Sequence, residues 1–185
     1  EKGFVVYGAA RRLERMKELE KKGINIISLD VTDDESMVNC VDMITTKEGR
    51  IDVLVNNAGY GSYGAIEDVP PEEARRQIDV NVLGLGRMCQ LVLPGMRKNR
   101  SGRIINITSM GGKVHTPFGG WYHATKFAVE GLSDCLRMEV AQFGIDVVVV
   151  EPGGIKTEWG VIAGENLKKT SGKGAYSEMA NKIAD

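Results

Sequence analysis

Short apolar runs alternate with helical patterns along most of the chain. The runs are rich in Val, Ile and Leu, which indicates buried strands, and the segments between them carry an apolar residue at every third or fourth position. Because the runs are almost continuously apolar, both faces of the predicted sheet are expected to be covered. Strands are predicted over residues 4–9, 24–29, 51–55, 103–107 and 146–150.

The segments between these strands predict helices. One helix is predicted over 13–22 with Gly23 as its C-cap, a second over 33–46, and a third from Pro71 towards residue 98. The third is expected in two pieces because Gly84, Gly86, Pro94 and Gly95 interrupt it, and a fourth begins near Gly119. Strand and helix in strict alternation predict an α/β fold with a doubly wound parallel sheet.

The last part of the chain has a different pattern. After residue 157 it is polar, dotted with glycine and weakly periodic. A mobile flap over 157–185 is therefore predicted, with a short helix over 176–184. At 185 residues, the chain is expected to form one domain, 1–185.

Charge and cysteine content narrow the function classes. The 24 basic and 25 acidic residues give a net charge of −1, so neither nucleic acid nor an anionic membrane is an expected partner. No apolar run approaches the length of a membrane span. Cys40, Cys89 and Cys135 are far apart in the sequence and are predicted to be reduced packing residues, with no metal site. This pattern is typical of a cytoplasmic enzyme.

Polar residues follow several predicted strands, at the edge where open α/β sheets bind ligands. Arg11 and Arg12 follow the first strand, where a guanidinium fits the 2′-phosphate of NADP; the alternative is the solvated start of a helix. Asp30 follows the second strand and is suited either to an adenine amine or to a helix cap. Asn56 to Gly59 follow the third, either as a close approach to a ring or ribose or as a plain turn.

A tyrosine and a lysine stand one helical turn apart at the start of the fourth helix. Tyr122 and Lys126 therefore share a face, and an ammonium beside a phenol favours the phenolate. Such pairs also occur on solvated helices, so the pair alone proves little. Ser109 ends the fourth strand thirteen residues before Tyr122, where its hydroxyl could bond a substrate carbonyl oxygen.

These motifs, in this order, resemble the short-chain dehydrogenase/reductase family over residues 3–157. The resemblance implies a Rossmann fold and an oxidoreductase acting on a carbonyl or secondary alcohol. It implies that Tyr122 is the general acid–base, that Lys126 supports it and holds the nicotinamide ribose, and that Ser109 orients the substrate oxygen. Asn81 would hold a water that links Lys126 to solvent. A catalytically silent nucleotide-binding or scaffold relative is the alternative.

The resemblance also implies a nicotinamide cofactor, NADP in preference to NAD. Arg11, with Arg12 as second choice, would select the 2′-phosphate. The other implied cofactor-binding residues are Asp30 and Val31 at the adenine, Asn57, Ala58 and Gly59 at the adenosine ribose, and Pro152, Gly153, Ile155 and Thr157 near the nicotinamide. The family's glycine-rich turn is not present, so the first strand–helix unit and the C-terminal end are expected to be missing from this chain.

The substrate and the assembly are less defined by the sequence. Met110, Val114, Trp121 and Trp159 are candidates for the pocket lining, with a core role as the alternative, and they favour an apolar substrate. His123 is interpreted as a packing or surface residue. The apolar faces of the third and fourth helices, together with the resemblance, predict a homodimer or homotetramer.

Overall fold

Five short strands form the centre of the part of the chain that the structure describes. In the computed structural model, which describes residues 3–155 and 159–184, they are β1 (Tyr7–Ala10), β2 (Asn25–Ser28), β3 (Val53–Asn56), β4 (Gly102–Ile107) and β5 (Ile145–Val150). All observed pairs are parallel: β1 with β2, β3 with β4, and β4 with β5. The prediction of a parallel α/β fold of the Rossmann type is therefore confirmed.

The strands are divided between two sheets. One has the order β1-β2 and the other the order β3-β4-β5. In the doubly wound order 3-2-1-4-5-6, the strand numbered 1 lies in the middle of the sheet. In this chain the division between the two sheets falls at that middle position, between β1 and β3. Strand β3 pairs with β4 alone among the described strands, and its Val53 and Val55 are 40% and 53% exposed.

Seven helices connect or follow the strands in the described part of the chain. They are α1 (Lys17–Glu20), α2 (Asp34–Glu48), α3 (Pro71–Ile78), α4 (Gly84–Asn99), α5 (Gly120–Val140), α6 (Trp159–Ser171) and α7 (Ser177–Ala184). Short 3-10 turns occupy Leu13–Met16, Met110–Gly112 and Ala141–Phe143.

The first predicted strand and helix are both shorter than expected. Strand β1 begins at Tyr7, where pairing with Asn25 starts, while Phe4 and Val5 are exposed. The helix predicted over 13–22 is a 3-10 turn followed by the single turn α1. Gly23 does take a left-handed conformation, φ 78°, and ends the segment as predicted.

The long third helix is interrupted at a different point from the predicted one. Residues Asp79–Leu83 form a π-helical segment between α3 and α4, whereas α4 continues through Pro94. The placement of the break at the glycines and Pro94 was therefore wrong. Asn81 lies inside the π segment, and such segments occur often at functional sites.

Helix α6 was missed by the sequence pattern. Its buried residues are Ala163, Leu167 and Ser171, which have helical spacing, but only one of the three is a large apolar residue. Ser171 is fully buried; its hydroxyl donates to Asp68 and accepts from the backbone N–H of Ala65. The predicted flap is thus two helices, of which α6 packs on the segment that follows β3.

The main core lies between the three-stranded sheet and helices α4 and α5. Met96, Ile104 and Val129 are essentially inaccessible to solvent there. Cys40 and Cys89 are also buried, but Cys135 is exposed, so its predicted packing role was wrong. Over the residues with a described position, no helix combines the length and the apolar character required to cross a membrane.

Candidate active site

The first turns of α5 place a tyrosine and a lysine together in a nearly dry position. Tyr122 and Lys126 are each 8% exposed, and the Lys126 Nζ lies 5.8 Å from the centre of the Tyr122 ring. Nζ donates one hydrogen bond of 3.0 Å to the carbonyl oxygen of Ile107, at the end of β4. Burial lowers the pKa of Lys126 to about 8, and the nearby Glu130 carboxylate opposes that shift.

Asn81 joins α5 to the loop after β3. Its Oδ1 accepts from the backbone N–H of Tyr60 at 3.0 Å, and its Nδ2 donates to the Tyr60 carbonyl at 2.8 Å. Nδ2 also donates to Oγ1 of Thr125 at 3.0 Å, and the Thr125 hydroxyl donates to the Tyr122 carbonyl. The Asn81 side chain therefore holds the loop against the helix turn that carries Tyr122.

Ser109 lies at the carboxyl end of β4 and begins a tight turn. Its Oγ accepts from the backbone N–H of Gly111 at 3.0 Å. Gly111 lies against Tyr122, since a Cβ on Gly111 would be 3.2 Å from Cε1 of Tyr122. The turn thus brings the loop of Ser109 to the Tyr122 ring.

A buried carboxylate that was not a sequence candidate lies one turn beyond Lys126. Glu130 Oε1 accepts from the Thr108 hydroxyl at 2.5 Å, and its Oε2 pairs with Lys113 Nζ at 3.0 Å. Lys113 also lies 3.5 Å from Glu151, after β5. The i, i+4, i+8 spacing of Tyr122, Lys126 and Glu130 could have indicated this side chain from the sequence.

Two further aromatic rings pack around Tyr122. The ring of Tyr63 is 5.8 Å from that of Tyr122, the ring of Trp159 is 5.5 Å from it, and the Tyr63 and Trp159 rings are 5.7 Å apart, edge to face. Trp159 was a candidate for the pocket, but Tyr63 was missed. Its position among glycines, two residues after Gly61, is the only signal that the sequence offers. Burial, and secondarily Tyr122, raises the pKa of Tyr63 to about 12.

The other residues predicted to line the pocket differ in how exposed they are. Met110 and Val114 are about half exposed at the turn after Ser109. Trp121 is partly buried, and its indole Nε1 has no hydrogen-bond partner within the described chain. Of the four aromatic and apolar candidates, Trp159 is the one with a ring contact to Tyr122.

The asparagine run after β3 divides into an anchor and an open loop. Asn56 is buried and donates to Asn106 on β4 at 2.9 Å, as expected for an asparagine that ties the loop down. Asn57, Ala58 and Gly59 are exposed. A Cβ on Gly59 would lie 3.9 Å from Lys126 Nζ, so this open loop runs beside the ammonium.

The residues proposed for the adenosine half lie past β1 and β2. Arg11 and Arg12 are exposed, and Val31 is partly buried. Asp30 is not the cap of α2; that role falls to Asp33, whose side chain accepts from the Glu35 N–H. The backbone N–H and the hydroxyl of Thr32 bond the Asp30 carboxylate and lower its pKa, with smaller contributions from Arg11 and Arg76.

The loop after β5 runs alongside the turn of Ser109. The Pro152 carbonyl accepts from the Met110 N–H at 3.0 Å, while Gly153 and Ile155 are exposed. Thr157 lies outside the described residues. His123 is buried, as the packing interpretation predicted, and both of its ring nitrogens are hydrogen-bonded.

The chain is similar to known proteins over most of its length. A family model described as short chain dehydrogenase matches residues 1–167. The chain is 42% identical over 174 residues to a 3-ketodihydrosphingosine reductase from Bacteroides thetaiotaomicron, which covers 94% of this chain and 62% of the relative. The chain thus spans somewhat less than two thirds of that protein's length.

Solved structures with both nicotinamide cofactors resemble the chain. A metagenomic short-chain oxidoreductase in complex with NADP has a TM-score of 0.77 and 30% identity, with 84% of this chain and 73% of that chain covered. An NAD+-bound xylitol dehydrogenase has a TM-score of 0.84 and 27% identity, with 99% and 73% covered. With the family model matching nine tenths of its residues, this chain is a member of the short-chain dehydrogenase family.

Proposed function

We propose that the protein is an oxidoreductase that moves a hydride between NADP, or with lower preference NAD, and a carbonyl or secondary alcohol. The observation that supports this most is the buried Tyr122–Lys126 pair beside the loop of Ser109. A buried ammonium is costly unless it has a partner. Nζ has three donors, and among the described residues the hydrogen bond to Ile107 uses one of them, so two can serve ribose hydroxyls.

The residues present fit a nicotinamide nucleotide. Asn57, Ala58 and Gly59 expose backbone next to Lys126, and Pro152, Gly153 and Ile155 form a second open loop beside the turn of Ser109. Thr157 is included in this proposed set. When bound, the nicotinamide ring supplies or accepts the hydride.

The chain's own residues transfer the proton and bind the substrate oxygen. In the direction of reduction, the Tyr122 hydroxyl gives its proton to the carbonyl oxygen as the C–H bond forms, and the phenolate is then reprotonated. The Ser109 hydroxyl donates a hydrogen bond to the same oxygen. The positive charge of Lys126 stabilises the phenolate, and Asn81 holds the adjoining loop, with a water at its backbone as the proposed path for protons to Lys126.

The proposed substrate is an apolar ketone or alcohol. Tyr63 and Trp159 surround Tyr122 with aromatic surface, and Met110 and Val114 add apolar surface at the rim. The name of the Bacteroides thetaiotaomicron relative, a 3-ketodihydrosphingosine reductase, agrees with a ketone as substrate. The preference for NADP rests on Arg11 and Arg12 beyond β1.

The assembly and the compartment are part of the same proposal. Exposed apolar residues remain on α5, among them Phe127, Leu132 and Met138, and we propose that they join copies of the chain into a dimer or tetramer. Three free cysteines fit the reducing cytoplasm. Residues 1–185 are taken as one domain, with α6 and α7 as its substrate-side cap.

A fluorescence titration of the complete enzyme with NADPH and NADH tests this proposal. Saturable binding of at least one nucleotide is expected, and turnover with a panel of apolar ketones that includes 3-ketodihydrosphingosine. Tyr122→Phe should bind the nucleotide normally but lose turnover by roughly 10²- to 10⁴-fold, the contribution of general acid–base catalysis. Tyr176→Phe, at a partly buried position on the cap, is the matched control. A protein that binds neither nucleotide is not the enzyme proposed here.

A further inference from the structure

The imidazole of His123 bridges two points of the loop that follows Ser109. Nδ1 lies 2.9 Å from the carbonyl oxygen of Gly111. Nε2 lies 3.1 Å from the backbone nitrogen of Thr116 and 3.1 Å from the Thr116 hydroxyl. A carbonyl oxygen only accepts and a backbone N–H only donates, so the proton must be on Nδ1 and the lone pair on Nε2. One neutral tautomer satisfies both ends of the bridge.

The loop is shaped for this ring. A Cβ on Gly111 would lie 2.9 Å from Nδ1, and a Cβ on Gly119 would lie 2.6 Å from Nε2. Glycine at both positions therefore lets the backbone close around the imidazole. His123 as a whole is 7% exposed, so water does not compete strongly for its two ring nitrogens.

The bridge continues to the hydroxyl of Ser109. The same Gly111 whose carbonyl accepts from His123 donates its N–H to Ser109 Oγ at 3.0 Å. Gly111 also lies against the Tyr122 ring, because a Cβ at this position would be only 3.2 Å from Cε1. Fixing the orientation of Gly111 thus fixes Ser109 relative to Tyr122.

We infer that His123 is a positioning residue for the reaction: through Gly111 it holds the Ser109 hydroxyl in place, and through Thr116 it holds the loop that borders the substrate. His123 touches neither substrate nor cofactor in this role. The inference rests on the proposed function, because it assigns Ser109 to the substrate oxygen. It also requires that His123 stays in the Nδ1–H tautomer.

The tautomer of His123 can be measured by NMR, independently of any enzymatic activity. Long-range ¹H–¹⁵N correlation spectra of the complete enzyme, labelled with ¹⁵N-histidine, distinguish a protonated ring nitrogen from a bare one. The signals that His123→Asn removes and His115→Asn leaves in place belong to His123. A protonated Nδ1 and a bare Nε2 are expected. The Nε2–H tautomer, or averaging between the two tautomers, would overturn the inference.

The kinetic arm uses two variants at the same position. His123→Leu removes the hydrogen bonds to Gly111 and Thr116, and kcat should fall about tenfold, as for the loss of one oriented neutral hydrogen bond, the one to Gly111. His123→Asn places an amide N–H near the former Nδ1, so it should recover most of kcat while KM stays raised, because the bond to Thr116 is lost. The Kd of the nucleotide should be unchanged in both.

The control is His115→Asn, an exposed position in the same loop, which should leave kcat and KM as they are. An equal loss of kcat in the Leu and Asn variants would show that His123 acts only by packing. An unchanged kcat in both would show that His123 has no role in the reaction. If the unmodified enzyme neither binds nucleotide nor turns over substrate, the proposed function is wrong. The NMR spectrum still shows which tautomer His123 adopts, so the two failures can be distinguished.

Discussion

The ammonium of Lys126 lies 5.8 Å from the centre of the Tyr122 ring and donates a hydrogen bond to the carbonyl of Ile107, not to the phenol. The two side chains therefore influence each other through charge at short range in a nearly dry site. A charged lysine in such a site is less well solvated than in the unfolded chain, which makes the site costly for the fold. Because the pKa of Lys126 is lowered on folding, this cost in folding free energy changes with pH.

The stability of the folded chain should rise with pH through the titration of Lys126. The pKa of Lys126 is about 8 when folded and 10.5 when unfolded, so between these values the unfolded chain binds more protons. At about 1.4 kcal/mol per pH unit, the difference amounts to about 3 kcal/mol. Lys126→Met should therefore be more stable than the unmodified enzyme at pH 7, and that advantage should shrink towards pH 10.5. Urea unfolding at several pH values measures it.

The control for this experiment is Lys98→Met, which removes an exposed lysine near the end of α4. Its difference in unfolding free energy from the unmodified enzyme should stay nearly constant between pH 7 and 10. An equally constant difference for Lys126→Met would show that Lys126 is not desolvated as the structure indicates.

Glu130 should set where the activity declines on the alkaline side. Its carboxylate favours the charged form of Lys126, so Glu130→Gln should lower the pKa of Lys126 further. The alkaline limb of kcat/KM for the nucleotide, which reports groups of the free enzyme, should then move to lower pH. Glu139→Gln, at an exposed position on the same helix, is the control. An unmoved limb would show that Glu130 acts only through its contacts with Thr108 and Lys113.

The strand and site positions that the sequence predicted are those with strong local signals. Continuous Val and Ile runs identified β4 and β5 to within one residue, and the spacing of Tyr122 and Lys126 placed both on one face of α5. In these segments the local preference and the tertiary packing agree, so a pattern within one segment is sufficient.

Features that depend on contacts between distant segments were not predicted. Trp159 was a candidate for the pocket, but the contact of its ring and of the Tyr63 ring with Tyr122 joins distant parts of the chain, and no local period shows this contact. In the π segment, Asn81 likewise bonds Tyr60 and Thr125, two partners in distant segments that the sequence pattern does not show. Helix α6 was missed because its buried face includes Ser171, whose partners lie on another segment.

Gly61 should be essential for the arrangement of the three rings. A Cβ there would lie 2.9 Å from Trp159, 3.1 Å from Tyr122 and 3.2 Å from Tyr63, closer than carbon atoms normally pack. Gly61→Ala must therefore displace at least one ring, and kcat/KM for an apolar ketone should fall about tenfold or more, as expected for a misplaced catalytic group. Steady-state kinetics at fixed NADPH measure this.

The matched control is Gly86→Ala on α4, where an added Cβ meets no atom within 4 Å. Because alanine favours a helix more than glycine does, this variant should keep full activity and gain slightly in stability. If Gly61→Ala is equally active, the ring cluster has no part in catalysis or substrate binding.

Arg11 should determine which nucleotide the enzyme prefers. It lies just past β1, and after the larger effect of Thr32, Arg11 and Arg76 both lower the pKa of Asp30, so two guanidinium groups act on the region proposed for adenosine. Arg11→Asp replaces a phosphate-binding group with a carboxylate that repels the 2′-phosphate and accepts from a ribose hydroxyl. The ratio of the NADPH and NADH Kd values, from fluorescence titrations, should shift towards NADH by roughly 10- to 100-fold, since a hydrogen bond to a charged group contributes about 1.5–3 kcal/mol. Arg15→Asp makes the same change of charge at another exposed position and should leave the ratio nearly unchanged. A ratio equally unaffected by both substitutions would assign the preference to other residues.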